Sequence, residues 1–157
     1  MRAALAALLL WASGAHSEVG LNIYGLSYHF DRDKAREKGL THEINPGFGL
    51  RWRAADSGVF ADAGIYRDSA AHTARIAGAG YLWRASEHLR LGGALALFRS
   101  DTYNEGKAFV APVPLAAYET RRATFNLVYF PKWRDQNPTN QIGLWVTVWW
   151  PPVTATR

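Results

Sequence analysis

The sequence predicts an all-β fold, an eight-stranded antiparallel transmembrane β-barrel. Three observations predict it. First, the 157 residues hold 7 Trp, 7 Tyr and 7 Phe and are 48% hydrophobic, yet mean hydropathy is −0.18. Nothing beyond the first 17 residues approaches the roughly 18 consecutive apolar residues of a membrane helix. Second, the chain after that point divides into segments of about ten residues with period-2 alternation. Third, tight and long connections alternate, as they do between the two ends of a membrane barrel. Zero Cys excludes a disulfide scaffold and any Cys-ligated metal centre.

Met1–Leu10 reads MRAALAALLL. Arg2 is a minimal positive region, Ala3 to Ala12 an apolar core, and Ser13-Gly14-Ala15 a small-x-small cleavage site. Residues 1–15 are therefore read as a signal peptide, with cleavage as late as Ser17 the alternative. The barrel is expected over 18–150 and a tail over 151–157. The predicted strands are 20–30, 44–53, 58–66, 73–84, 89–99, 108–118, 122–131 and 139–150. Links at Ala54–Ser57, Ala85–His88 and Glu119–Arg121 are short; those at Asp31–Glu43, Arg67–His72, Ser100–Lys107 and Lys132–Pro138 are longer and more polar.

Alternation separates two faces. Leu89, Leu91, Leu95 and Leu97 oppose Gly92, Ala94 and Ala96; Phe125, Leu127 and Tyr129 oppose Thr124 and Asn126. Large apolar residues belong outside, small or polar ones in the lumen. The lumen face then carries Gly47, Gly49, Gly64, Gly78, Gly80, Gly92, Ala94 and Ala96. So many small residues either leave a narrow apolar slot suited to a hydrocarbon chain or are covered by larger neighbours. Trp52, Tyr81, Trp83, Trp149 and Trp150 lie near strand ends on the short-turn side, where amphipathic rings would form an interfacial girdle.

His29 ends the first strand, and Asp68-Ser69 follows the third. Both strands run toward the long loops, so the three residues reach one rim, about 10 Å apart in backbone. A His as general base, an Asp orienting or stabilising it, and a Ser as nucleophile or transition-state partner, set beside an apolar slot, suit acyl transfer. Asp-Ser in a loop is equally ordinary turn chemistry.

These residues sit in a series of segments: YGLSYHF, PGFGLRW, YRDSAAHTARIAGAGYLW, LRLGGALA, APVPLAAY and TFNLVYFP. In this order and spacing, from about Leu21 to Trp150, the chain resembles the PagP family of outer-membrane lipid A palmitoyltransferases. The resemblance implies transfer of a palmitoyl chain from a phospholipid donor to lipid A in the Gram-negative outer membrane. It places the family's essential His on His29, its Asp and Ser on Asp68 and Ser69, and its acyl-pocket floor on Gly80. A side chain at position 80 is then expected to raise that floor. It further implies lateral lipid entry where prolines remove ladder hydrogen bonds: at Pro112 and Pro114 in the sixth strand, at Pro131 ending the seventh, and at Pro46 in the second, beside the first. Two features depart from the family. Ser17–Gly20 leaves no room for its N-terminal amphipathic helix, and Pro151–Arg157 continues past the terminal aromatics.

No cofactor is expected, and a monomer is. No metal site is expected either: His42-Glu43 does not begin an H-E-x-x-H motif, because position 46 is Pro46. The chain has no nucleic-acid-binding motif. Arg32, Lys34, Arg36, Lys38, Arg67, Arg99, Lys107 and Arg134 lie at rim positions, where they suit lipid phosphates or simply solvate loops. Two other functions fit a small barrel: lipid A deacylation, whose closely spaced late His-x-Ser motif is missing here, and a non-enzymatic adhesive or structural role.

Overall fold

The computed structural model describes residues 17–55, 57–133 and 136–150. The signal peptide, the tail and Arg134 lie outside them. Eight strands form the chain's frame: β1 (Ser17–His29), β2 (Ile44–Ala54), β3 (Val59–Arg67), β4 (Thr73–Arg84), β5 (Leu89–Arg99), β6 (Phe109–Glu119), β7 (Ala123–Phe130) and β8 (Gln141–Trp150). Each pairs antiparallel with the next, and β8 returns to β1 to close the barrel. Among the described residues no helix is long and apolar enough to cross a membrane. Closure gives every strand two neighbours, as a membrane-spanning sheet requires.

The strands are inside-out. Leu21, Ile23, Phe48, Leu50, Leu95, Leu97, Leu127 and Leu144 are exposed on the outer wall. Arg51, Asn22, Asn126 and Thr147 are buried in the lumen. This inverts the pattern of a soluble barrel and matches an apolar solvent around the wall. Tyr81, Trp83 and Trp150 lie outside as expected. Trp149 does not: it points inward and is buried, its Nε1 donating to Thr124 Oγ1 at 2.8 Å while Arg53 stacks on its ring. Successive tryptophans at 149 and 150 must take opposite faces of a strand, so only one joins the girdle.

The long link after β1 contains a short helix, α1 (Arg32–Glu37). Asp31 caps it by accepting from the Lys34 amide at 3.1 Å. Gly39, at φ +72°, ends it in the left-handed conformation that glycine adopts without strain. Ala35 and Leu40 bury its underside.

Candidate functional site

The lumen has two halves. The half toward the short turns is filled with polar groups. Arg51 grips Asp62 with two hydrogen bonds, Nε to Oδ1 at 2.8 Å and Nη2 to Oδ2 at 2.6 Å, and donates to Asn126 Oδ1 at 2.6 Å. Thr147 donates to Asn22 Oδ1 at 2.7 Å, and Asn22 Nδ2 donates to Asp62 at 3.1 Å. Nearer the turns, Arg53 joins Glu18 and Glu119, and Arg90 donates to Glu119 at 2.6 Å. Three arginines thus face three acids, so the charges balance in a region where an unpaired charge would be costly.

The half toward the long loops holds a narrow cavity of about 80 Å³. Its wall is mostly carbon, including Ile76, Ala94, Ala96, Phe98, Val113, Leu115 and Val128, and its upper end reaches Ser27 and Ser69. Larger residues do fill part of the glycine-lined space. The Tyr24 hydroxyl lies where a side chain on Gly49 or Gly64 would go.

The floor is Phe60. Its ring is 1% exposed and rests on the Arg51 guanidinium, 4.5 Å from centroid to carbon. Gly78 lines the cavity, whereas Gly80, paired with Phe60 across β3 and β4, does not. The expected floor residue thus stands at the level of the floor without lining the cavity itself. A Cβ on Gly80 would lie 2.2 Å from the Gly93 carbonyl oxygen and 2.8 Å from Ala94. Gly80 therefore permits the close approach of β5.

His29 and Ser69 meet at the upper end. His29 Nε2 lies 3.0 Å from Ser69 Oγ, and both residues are buried. The bulge at Gly25, where the β1 register shifts against both neighbours, precedes Ser27, whose Oγ is 3.1 Å from Ser69 Oγ. The His42 amide donates to the Ser69 carbonyl at 2.9 Å and ties the loop before β2 to this turn.

Asp68 does not orient His29. Its Oδ1 accepts the Ala70 and His72 amides at 3.0 Å each, and its Oδ2 accepts the Ser100 hydroxyl. The carboxylate is thus committed to its own turn, in which Ala71 takes φ 66°. It positions Ser69 and not the imidazole. Thr139 occupies the other ring nitrogen, Oγ1 at 2.7 Å from His29 Nδ1. Sequence reasoning missed Thr139, Ser27 and Ser100. It also missed Tyr103, which lines the cavity from the β5–β6 loop. Burial and the Asp68 carboxylate push the Tyr103 phenol up to about 12, and Gln141 and Ser69 neighbour its hydroxyl.

The wall is open at one seam. β6 pairs with β7 only over Leu115–Glu119 against Thr124–Val128. Above Leu115, β6 pairs with β5 alone, and that ladder runs uninterrupted through Pro112 and Pro114. The two prolines stand two residues apart, so their missing donors fall on one edge, the edge facing β7. Ala111 and Val113 on one side and Phe130 and Pro131 on the other line a second space of about 40 Å³ at this break. Pro46 acts differently from expectation. The β1–β2 ladder resumes past it at Leu26 and Ile44, whereas the β2–β3 ladder begins only at Gly47.

The basic rim residues are partly committed. Arg32 pairs with Glu43, Arg36 with Asp33 and Lys107 with Glu105. Lys34 and Lys132 adjoin one another, and the neighbouring ammonium holds Lys132 below the ordinary amine range. Among the described residues no cluster of three His, Cys, Asp or Glu could hold a metal ion.

No family model and no curated protein matches the sequence. Among solved structures, the chain is similar to one described under "De novo design of transmembrane beta-barrels", with a TM-score of 0.59 and 10% identity over 84% of this chain and 94% of that one. It is also similar to the solution NMR structure of the de novo designed TMB2.3, with a TM-score of 0.55 and 10% identity over 83% and 94%. At this identity the likeness concerns the fold alone: the chain is a closed, eight-stranded transmembrane β-barrel.

Proposed function

We propose that this barrel is an acyltransferase of the Gram-negative outer membrane, exported by its N-terminal segment, that moves a palmitoyl chain from a phospholipid to lipid A, as the resemblance to the PagP family implies. The observation that carries the proposal is the His29–Ser69 contact at 3.0 Å, at the head of a blind apolar cavity. A hydrolytic or acyl-transfer dyad needs a hydroxyl and an imidazole within hydrogen-bond reach. The cavity needs an occupant that is long and apolar, and the open β6–β7 seam offers that occupant a path from the membrane.

Ser69 Oγ attacks the ester carbonyl carbon of the donor while His29 Nε2 takes the hydroxyl proton. The ester C–O bond breaks, the departing alkoxide takes that proton, and a lysophospholipid leaves an acyl-Ser69. A lipid A hydroxyl then attacks the acyl carbon as His29 takes its proton. The new ester forms, the Ser69–acyl bond breaks, and Ser69 recovers the proton. Thr139 accepts from Nδ1–H and so keeps Nε2 as the basic nitrogen throughout.

Mass spectrometry of lipid A from cells with and without the protein tests the reading. A gain of one palmitoyl mass is expected, and it should vanish in Ser69→Ala and His29→Ala proteins that still show heat-modifiable gel mobility. Loss of an acyl mass would indicate a deacylase. An unchanged lipid A would indicate a barrel without this enzymatic role.

A further inference from the structure

Asn45 precedes Pro46, which bars the residue before it from the helical region and keeps it extended. Its side chain points into the lumen, 6% exposed, and lines the cavity together with Ser27 and Ser69. Neither its Oδ1 nor its Nδ2 has a hydrogen-bond partner among the described residues. An amide left unpaired at both ends in a largely carbon wall opposes folding. Such a group is explained when a ligand supplies the partner.

Its position narrows the ligand. Ile44, the preceding residue, pairs with Leu26, the neighbour of Ser27, whose hydroxyl is 3.1 Å from Ser69 Oγ. His42, three residues earlier, is tied to the Ser69 carbonyl. Asn45 is therefore at the end of the cavity where a nucleophile stands, not at the floor where a methyl terminus would lie. Trp145 Nε1 also lacks a partner, but Trp145 pairs with Tyr24, on the far side of the Gly25 bulge. A long acyl chain has one polar feature near its head, the ester carbonyl.

We propose that Asn45 Nδ2 donates to the carbonyl oxygen of the acyl ester bound at Ser69, with the Tyr103 hydroxyl as the second donor. This rests on the acyl-transfer reading and adds to it the group that stabilises the developing oxyanion. Tyr103 suits the part: its phenol is buried beside Ser69 and keeps its proton far into the alkaline range. Donors fixed in a water-poor pocket act on charge that appears only as the carbonyl becomes tetrahedral, so they raise turnover more than binding.

The test is Asn45→Leu, which keeps the shape and removes the donor. The full chain is assayed in detergent micelles with dipalmitoyl phosphatidylcholine carrying 13C at the ester carbonyls. We expect kcat to fall about 10²- to 10³-fold with KM within about threefold. We expect resistance to denaturant to stay level or rise, because a buried unpaired amide has been replaced by an apolar group. Activity and stability moving in opposite directions exclude a merely structural role. The infrared stretch of the bound 13C carbonyl gives a readout independent of turnover. It should be lowered in the wild type and return toward the free value in Asn45→Leu. Unchanged kcat, or a loss that only tracks the unfolded fraction, would overturn the proposal. A wild type without turnover, but with an Asn45-dependent carbonyl shift, would defeat the acyl-transfer reading and leave the carbonyl site standing. Turnover and carbonyl frequency that both ignore Asn45 would do the reverse.

Discussion

On the proposed acyl transfer, Ala94→Leu should shorten the preferred acyl chain. Ala94 lines the cavity directly across from Gly80, which in turn pairs with Phe60, so it stands level with the floor. The eight steps from Asp68 to Phe60 cover about 27 Å along β3, or roughly 21 Å of depth at a tilt near 40°. An extended 16-carbon chain spans about 19 Å, so it reaches the floor with little to spare. Leucine extends about 2.5 Å beyond the alanine methyl, the length of two methylenes. Two methylenes excluded from the cavity forfeit about 1.6 kcal/mol of burial. That corresponds to about a 15-fold loss in kcat/KM for the 16-carbon donor relative to one of 14 carbons. The assay is transfer or release from phospholipids with chains of graded length, using purified wild-type and variant protein. An optimum that stays at 16 carbons in a folded Ala94→Leu protein would refute the placement of the floor. Gly80→Met is a poorer probe, because its Cβ meets the Gly93 backbone and strand separation would accompany any change in chain preference.

Two further outcomes concern the scaffold. Asp68→Ala leaves the Ala70 and His72 amides and the buried Ser100 hydroxyl without their acceptor; the buried hydroxyl costs roughly 1–3 kcal/mol and each amide, which water can reach, less, read from denaturant unfolding in detergent, and a variant as stable as wild type would show that the turn does not depend on the carboxylate. Arg51→Ala strands the Asp62 carboxylate and should cost about 3–5 kcal/mol, whereas Arg51→Met combined with Asp62→Leu should recover most of that loss; equal stability of the single and double variants would mean that the pair is not coupled.

Much of the fold was legible because a barrel strand carries its own orientation signal. In β5 the leucines at 89, 91, 95 and 97 alternate with small residues, and that parity alone assigns the wall. The one gross misplacement, Trp149, came from treating two adjacent tryptophans as a single interfacial feature. The contents of the lumen were less legible. Arg51 and Arg53 share the parity of Gly47 and Gly49, so their inward direction was available from the sequence. Their partners were not. Glu18, Asp62 and Glu119 come from β1, β3 and β6, and only the stagger of the closed sheet sets them at matching depths. The same limit applies at the rim. His29 and Ser69 could be brought together by strand direction, but Thr139 reaches His29 across 110 positions of sequence. The Asp68 role was misread because its partners are the amides two and four residues on and a hydroxyl from another loop; a carboxylate beside a serine gives no sign of whether it serves a catalytic neighbour or its own backbone.

The polar packing below Phe60 closes the lumen toward the short turns. A chain that enters through the β6–β7 break must therefore leave from the same half of the barrel before another can follow. Traffic is therefore single-file, and an occupant already inside is a competitor for the next. Residence time grows with the length inserted, since each methylene withdrawn must leave the carbon wall. Closure toward the short turns also means that solutes and ions have no through-route, so a chain can be held inside the barrel while the membrane around it stays sealed.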